Sequence, residues 1–264
     1  MILASDPDPE RFRAAMNAIH VGGTYKITGS DRHRPVDDLL LDAVDLTGAH
    51  IVDIGASDGS TSADLIDRMP ADFGAFTICD KYLALDARWV GRRMVLTYPD
   101  SSQPVLIAGP RFLSWPEQSR AVAALTRRIA ERAVGRSATS VSLLGPAAQS
   151  RIAADPRVTA QTHDVFEPWP GPTAPHVIKV ANLLRRLYFS DDQIVRALNA
   201  ILASLPDGGH LLILDNPRIE GIQIRGGLFR KDEGRFVTVS TTAHAPEVID
   251  LVLGDAVRTA ADQG

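Results

Sequence analysis

The sequence has little of several features that mark other classes of protein. Its one cysteine, Cys79, excludes an internal disulfide. No run of about 18 apolar residues and no signal-like start occurs, so we expect a cytoplasmic protein that does not bind membranes. The 28 Lys and Arg residues are outnumbered by 32 Asp and Glu, which argues against a nucleic-acid partner. With 264 residues and 45% hydrophobic content, the chain can bury one large core.

Segments with strand and helix patterns alternate along most of the chain. Short apolar strands are predicted at 50–55, 74–80, 157–166, 176–184 and 209–216. Helices are predicted from Pro35, from Ser60 and from Ser190, each with a residue type that favours a helix start. This alternation predicts an α/β, doubly wound fold, in which helices cover both faces of a mostly parallel sheet.

Two segments do not follow this alternation. Residues 1–34 are polar and rich in turn-forming residues, and we interpret them as an N-terminal arm over the site. Residues 88–150 are interpreted as an insertion in a domain that spans 35–264, because they predict a hairpin followed by an amphipathic helix. The apolar stripe of that helix is made of Val122, Leu125 and Ile129. The insertion is expected to act as a cap, with a surface that suits a homodimer.

Two segments compete to be the second strand of the sheet. Residues 74–80 end in Asp80, whereas residues 140–145 end in Gly145 and Pro146 without an acid. We favour 74–80, because a carboxylate at the strand end offers a strong hydrogen-bond acceptor to a ligand.

The loop "GASDGS" follows the strand "HIVDI" and indicates a ligand site. Ligands of open parallel sheets bind beyond the carboxyl ends of the strands, and glycines allow a close approach of the backbone. Ser57 replaces the central glycine of a dinucleotide fingerprint, and the Gly-Lys-Ser/Thr of a phosphate loop is absent. Asp53 and Asp58 flank the loop and favour a cationic amine or sulfonium over a pyrophosphate. A nicotinamide-dependent reductase is an alternative that would require a pyrophosphate beside these acids.

The motif "VDIGASDGS" resembles the first motif of the class I S-adenosylmethionine-dependent methyltransferases. Three further landmarks occur in the family's order: "FTICD", "HDVFEP" and "DGGHLLILDN". The resemblance implies a seven-stranded-type, Rossmann-like sheet and S-adenosylmethionine as cofactor. The cofactor-binding residues that it implies are Asp53, Gly55, Ala56, Ser57, Gly59, Asp80, Asp164, Val165 and Asn182.

The resemblance also implies a role for each of these residues. Asp53 would act through the loop on the methionine amine, and the loop residues would line the methionine and ribose. Asp80 would bind the ribose hydroxyls. Asp164 would meet the adenine amine, with Val165 beside the ring. Asn182 would face both the methionine and the methyl acceptor.

On the acceptor side, the candidate residues are Asn182, Arg185 and Tyr188, and no catalytic base is identified. If Arg185, Arg186, Lys26 and Arg32 face the pocket, the substrate is a small anionic metabolite or a peptide-like molecule, methylated on oxygen or nitrogen. The histidines of the arm, including His33, are expected on the surface, and no metal site is expected. The alternative is an S-adenosylmethionine-binding regulatory or partner-binding module with reduced catalysis.

Overall fold

The computed structural model describes residues 12, 16, 20–21, 24–25, 32–216 and 223–258. The chain divides into two compact units. We call residues 1–28 with 82–146 the inserted unit, and residues 29–81 with 147–264 the core unit. Most of the predicted arm lies outside the described residues, and its position over the site stays a prediction. Phe12 and Met16 belong to the hydrophobic core of the inserted unit.

The regular elements are numbered here in chain order. The strands are β1 (His20–Val21), β2 (Thr24–Tyr25), β3 (His50–Ile54), β4 (Ala75–Asp80), β5 (Ala84–Val90), β6 (Arg93–Thr97), β7 (Pro104–Gly109), β8 (Phe112–Ser114), β9 (Thr139–Ser142), β10 (Val158–Thr162), β11 (Val177–Ala181), β12 (His210–Asp215), β13 (Arg225–Asp232) and β14 (Arg235–Thr241). The helices are α1 (Arg34–Ala43), α2 (Ser60–Ile66), α3 (Arg120–Ala133), α4 (Pro146–Ala154), α5 (Asp191–Ser204) and α6 (Ile249–Val252), and a short 3-10 helix spans Pro116–Gln118.

The core unit is built on a seven-stranded sheet with the strand order β10-β4-β3-β11-β12-β13-β14. The first five strands run parallel, and β13 and β14 form an antiparallel hairpin at one edge. Every residue of β3 and β11 is buried, which is typical of strands covered on both faces. The predicted α/β class with a large, mostly parallel sheet is confirmed.

Helices pack against both faces of this sheet. Val52 and Ile178 share one hydrophobic cluster with Ile194 and Leu198 of α5. Because side chains alternate along a strand, Asp53 and Lys179 point to the opposite face. There Lys179 bonds to Asp37 of α1 and Asp53 to Ser62 of α2, so α5 and α2 lie on opposite faces. The capping box at Ser190 and Gln193 fixes the start of α5.

The competition for the second strand is settled by strand pairing. β4 pairs with β3 on one side and with β10 on the other, so residues 74–80 contribute the second strand, as predicted. The rival segment contributes β9, which pairs with β5 in another sheet. The favoured segment is the longer buried run, and it can therefore fill an interior position of the sheet.

The inserted unit contains a five-stranded antiparallel sheet with the order β8-β7-β6-β5-β9. The predicted hairpin corresponds to β6 and β7, and the predicted helix to α3. The strands β5 and β8 were missed, and β9 is the segment that was predicted to compete for the second strand of the other sheet. The predicted apolar stripe of α3 was wrong for Leu125, which is 84% exposed, while Thr126 is buried. Thr126 Oγ1 donates to the Val122 carbonyl at 2.7 Å, and this bond satisfies its hydroxyl on the inner face.

Candidate functional site

Four segments meet at the carboxyl edge of four adjacent parallel strands of the core unit. Across the sheet, Asp164 follows β10, Asp80 ends β4, the loop 55–59 follows β3 and Asn182 follows β11. The chain leaves β3 into α2 on one face and leaves β11 towards α5 on the other. The edge between β3 and β11 is therefore a topological switch point, where open α/β sheets bind their ligands.

The loop 55–59 is fixed by its own backbone. Gly55 has φ 77° and Gly59 φ 73°, values that favour glycine. The amides of Gly55 and Ala56 both donate to the Cys79 carbonyl at 2.9 Å, which ties the loop to the end of β4. A Cβ at Gly59 would lie 2.7 Å from the Ala148 Cβ, so α4 also requires glycine at this position.

Ser57 joins the loop to the acid of the neighbouring strand. Its amide donates to Asp80 Oδ2 at 2.8 Å, which brings together two residues predicted to share the site. Ser57 has φ 61°, a left-handed conformation that costs a non-glycine residue energy, and its buried Oγ has no hydrogen-bond partner. A serine at this position therefore carries both a strained backbone and an unsatisfied hydroxyl.

Replacing Ser57 with glycine is expected to stabilise the ligand-free protein by about 1 kcal/mol, because glycine adopts this φ without strain. Chemical denaturation of the full chain measures the change. Ser57→Ala is the matched control, since it removes the hydroxyl but keeps the strained φ. If Ser57→Ala stabilises as much as Ser57→Gly, the backbone strain is not the cause.

Asp58 has a structural role that the sequence did not indicate. Its two carboxylate oxygens accept from the Ser60 amide at 3.1 Å and from the Ser60 hydroxyl at 2.8 Å. Asp58 is 4% exposed, and it satisfies donors at the start of α2. Of the two acids that flank the loop, Asp58 is thus the one whose carboxylate is hydrogen-bonded to the start of α2.

Asp53 is the other flanking acid, and it is 1% exposed. Its Oδ2 accepts from Ser62 Oγ at 2.7 Å, while its Oδ1 is buried without a hydrogen-bond partner. Burial raises the pKa of Asp53 to about 6, and the nearby charge of Lys179 opposes that rise. Asp53 therefore sits beneath the loop as a carboxylate with unused hydrogen-bonding capacity.

A buried ion pair lies on the same face of the sheet. Lys179 Nζ donates to Asp37 Oδ1 at 2.7 Å, and their side chains are 0% and 3% exposed. Burial raises the pKa of Asp37 despite the attraction of Lys179. Lys179 is also the register partner of Asp53 on the neighbouring strand. The sequence signal for this pair was a lone lysine inside the apolar strand "VIKVA", and nothing near Asp37 in the sequence points to Lys179.

Asp164 lies at the far side of the site and is paired. Lys81 Nζ lies 2.9 Å from Asp164 Oδ2, and the Phe166 amide donates to Asp164 Oδ1 at 3.2 Å. Burial alone would raise the pKa of Asp164, but these two bonds outweigh it and lower the pKa. Val165 is 5% exposed and belongs to the hydrophobic core. The contribution of Lys81 was not predicted.

Asn182 is the centre of a polar cluster with His33 and Asn216. Its φ is 57°, and its Oδ1 accepts from the Asn216 amide at 2.6 Å. Its Nδ2 lies 2.9 Å from Asn216 Oδ1 and 3.2 Å from His33 Nε2. The expectation that His33 lies on the surface was wrong: it is 2% exposed, because the N-cap position of α1 lies next to Asn182 at the end of β11.

The arginines after β11 differ in their contacts. Arg185 is largely buried, and its guanidinium approaches the Asn216 carbonyl and Glu247 at 3.5 and 3.6 Å. Arg186 instead bonds to Asp191, Asp250 and the Glu247 carbonyl, which raises its pKa and ties it to α5 and α6. The structure therefore argues against Arg186 as an anion-binding residue. Tyr188 is half-buried, and Lys26 lies outside the described residues.

The described part of the chain contains neither a candidate metal site nor a candidate membrane span. No group of three or more His, Cys, Asp or Glu side chains is arranged there to hold a metal ion. None of the helices described is long and apolar enough to cross a membrane.

Known proteins that are similar to this chain are found among solved structures. No protein-family model and no curated protein matches the sequence. Among solved structures, mitomycin 7-O-methyltransferase MmcR is similar at 20% identity and a TM-score of 0.34, over 71% of this chain and 37% of that one. Human N-acetylserotonin methyltransferase in complex with SAM is similar at 15% identity and a TM-score of 0.33, over 67% of this chain and 33% of that one.

A third similar structure is the N-methyltransferase NodS from Bradyrhizobium japonicum, at 14% identity and a TM-score of 0.36, over 70% of this chain and 67% of that one. This chain thus spans about a third of the length of MmcR and the human enzyme. These neighbours are O- and N-methyltransferases. At such scores the likeness carries no argument about activity, which rests on the residues of this chain.

Proposed function

We propose that this protein is a class I S-adenosylmethionine-dependent methyltransferase that acts on the oxygen or nitrogen of a small anionic metabolite or peptide-like substrate. The observation that carries the proposal is the arrangement of Asp164, Asp80, the loop 55–59 and Asn182 on four adjacent parallel strands. Each lies at the carboxyl edge, and the middle two are joined by the bond from the Ser57 amide to Asp80.

The residues present fit the cofactor in charge and in hydrogen-bonding capacity. Asp53 Oδ1 and Ser57 Oγ are buried polar atoms without partners at the loop, as expected where a polar ligand binds. The acids Asp53 and Asp80 suit a ligand that carries an amine and a ribose diol better than one with a pyrophosphate. When bound, S-adenosylmethionine supplies an electrophilic methyl group on a sulfonium.

The proposed roles follow the order of the strands. The loop 55–59 and Asp53 would hold the methionine and ribose, and Asp80 would accept from the ribose hydroxyls. Asp164 and Val165 would hold the adenine. Asn182 would orient the reacting groups, since its amide is fixed on both sides by Asn216. The contribution of the chain is positioning, because a displacement of this type needs a base only for a protonated acceptor.

The acceptor side is proposed to contain Asn182, Arg185 and Tyr188. Arg185 supports an anionic substrate, because its Nε is buried without a hydrogen-bond partner and meets Glu247 Oε2 only at 3.6 Å. Arg186 does not support it, because its guanidinium is occupied by acids. Arg32 replaces Arg186 as the second candidate, since its Nε is also buried without a partner.

Asp80→Asn is expected to weaken binding of S-adenosylmethionine and S-adenosylhomocysteine about 10- to 100-fold, because charge-assisted bonds to the ribose hydroxyls are lost. Isothermal titration calorimetry measures both ligands. Asp207→Asn is the control, since Asp207 is exposed in the turn before β12, at the amino ends of the parallel strands and away from the candidate site. If the wild-type protein binds neither S-adenosylmethionine nor S-adenosylhomocysteine at millimolar concentration, the functional proposal is wrong.

The alternative is a binding module that keeps the nucleoside pocket without turnover. It is supported by the strained Ser57 and by the lack of an identified base. The discriminator is the formation of S-adenosylhomocysteine across a broad acceptor panel, because a binding module forms none.

We also propose a cytoplasmic location and a homodimer formed through the inserted unit. The single cysteine supports the first. Exposed apolar side chains of the inserted unit support the second, with Trp89 at 48% and Leu125 at 84% exposure.

A further inference from the structure

Buried polar atoms without partners concentrate at one edge of the core unit. Among the described residues, eight side-chain nitrogen or oxygen atoms are buried without a hydrogen-bond partner. Five of them lie at the candidate site: Arg32 Nε, His33 Nδ1, Asp53 Oδ1, Ser57 Oγ and Arg185 Nε. A buried donor without an acceptor is costly, so such a group calls for an explanation by a bound species. Two of the five, Arg32 Nε and His33 Nδ1, belong to consecutive residues.

The hydrogen bonds around Asn182 decide which nitrogen of His33 carries the proton. The Asn216 amide can only donate, so the Asn182 atom at 2.6 Å from it is the oxygen. The Asn182 Nδ2 group therefore faces His33 Nε2, at 3.2 Å, and donates to it. Since Nε2 accepts, the neutral imidazole carries its proton on Nδ1. His33 thus presents one N–H donor, and that donor is buried without an acceptor.

The surroundings of His33 keep this imidazole neutral. Burial lowers its pKa well below the usual value, and the charges of Lys179 and Arg32 lower it further, while a hydrogen bond with the Asn216 side chain opposes these effects without cancelling them. Protonation on Nε2 would also break the bond from Asn182. His33 is therefore poorly suited to act as a base through Nε2, which is already occupied.

Arg32 directly precedes His33, and its Nε is a second buried nitrogen without an acceptor. The Asn216 side chain lies 3.4 Å from the Arg32 carbonyl, so the Arg32 backbone is next to the Asn182 cluster. Its guanidinium interacts electrostatically with Asp58 of the loop, while burial lowers its pKa. A cation with a free N–H, beside a neutral N–H donor, matches the geometry of a carboxylate better than that of a neutral group.

We propose that Arg32 Nε–H and His33 Nδ1–H together dock a carboxylate of the methyl acceptor, and that His33 acts as a neutral hydrogen-bond donor and not as a general base. This inference rests on the proposed function, because it assigns the docked group to the acceptor. It makes Arg32 and His33 positioning residues that select acceptors with a carboxylate near the methylated atom.

The first test is nuclear magnetic resonance of the full chain labelled with ¹⁵N-histidine. We expect His33 to show the Nδ1–H tautomer, and its Nδ1–H resonance to move on addition of benzoate but not of the neutral isostere benzamide. The titration is done with and without S-adenosylhomocysteine, so a failure of cofactor binding is seen separately from a failure of carboxylate docking. An Nε2–H tautomer, an equal response to both probes or no response to benzoate overturns the proposal.

The second test uses two substitutions that each keep half of the imidazole's hydrogen bonding. His33→Gln places an amide oxygen where Nε2 accepts from Asn182 but removes the Nδ1 donor, and His33→Asn keeps a donor near Nδ1. Benzoate binding is expected to weaken about 10- to 100-fold in His33→Gln and by only a few-fold in His33→Asn. Equal losses in both variants overturn the proposal, since a merely structural histidine would give that result.

S-adenosylmethionine also carries a carboxylate, and a third arm separates it from the acceptor. S-adenosylhomocysteine is compared with its decarboxylated analogue in the wild type and in His33→Gln. We expect the substitution to change the affinity of both nucleosides by less than a few-fold. A selective loss for S-adenosylhomocysteine would assign Arg32 and His33 to the cofactor and overturn the acceptor assignment.

Discussion

Replacing Lys179 with methionine is expected to destabilise the protein by about 3–5 kcal/mol, because it leaves Asp37 as a buried acid without its partner. Lys179 is 0% exposed, and its ammonium is 2.7 Å from Asp37 Oδ1. Methionine fills a similar volume, so the loss measures the missing charge and not a cavity. Urea denaturation at neutral pH measures the difference in the free energy of unfolding.

Two further variants make this result interpretable. In the double variant Asp37→Leu/Lys179→Met both charges are removed, and stability is expected to return to within about 1–2 kcal/mol of the wild type. Lys81→Met removes the exposed partner of Asp164 and is expected to cost less than about 1 kcal/mol, because exposed ion pairs are screened by water. If Lys179→Met costs no more than Lys81→Met, the buried pair does not stabilise the sheet.

Replacing Asp53 with asparagine is expected to weaken S-adenosylmethionine binding about 10- to 100-fold while stabilising the ligand-free protein above about pH 6. Burial raises the pKa of Asp53 from 3.8 to about 6 in the folded protein. The folded state therefore binds the proton more tightly than the unfolded state, and stability falls as the pH rises from about 4 towards 6 and above. The loss above pH 6 amounts to about 3 kcal/mol.

Asp53→Asn cannot ionise, so its advantage should grow across this pH window and vanish at pH 4. Unfolding free energies at several pH values measure the stability effect, and calorimetry measures the affinity. Asp42→Asn is the control, because Asp42 is exposed on α1. A stability difference between Asp53→Asn and the wild type that does not depend on pH would show that Asp53 titrates normally.

Much of the local structure could be predicted from the sequence. Buried runs such as "HIVDI" identify parallel strands, because both faces must be covered and apolar residues then occupy consecutive positions. Ser190 with Gln193 marks the start of α5 through a capping box within four residues. Asp80 was chosen for the strand end because of its carboxylate, and its bond to Ser57 places it beside the loop.

The inserted unit shows where local patterns were insufficient. The strand β5 was missed because three of its seven residues are buried and the large apolar side chain of Trp89 is exposed, so its hydrophobic residues do not mark the face that meets the core. Leu125 was placed on the inner face of α3 because it is apolar and at helical spacing from Val122 and Ile129. Thr126 occupies that face instead, and its hydroxyl is satisfied there by the helix backbone.

By itself, the sequence determined the class of the fold, the sheet edge that carries the site and the acids and glycines along it, because these depend on residues that are neighbours in the chain. Only the tertiary structure decided which charged groups form ion pairs and which hydrogen-bonding groups lie next to each other. Lys179 and Asp37 are 142 residues apart, and Asn182 and His33 are 149 apart. The first pair places a buried charge beside Asp53, and the second holds His33, whose Nδ1 has no hydrogen-bond partner. Neither pairing has a local signal, because each forms only when helix α1 packs against the finished sheet.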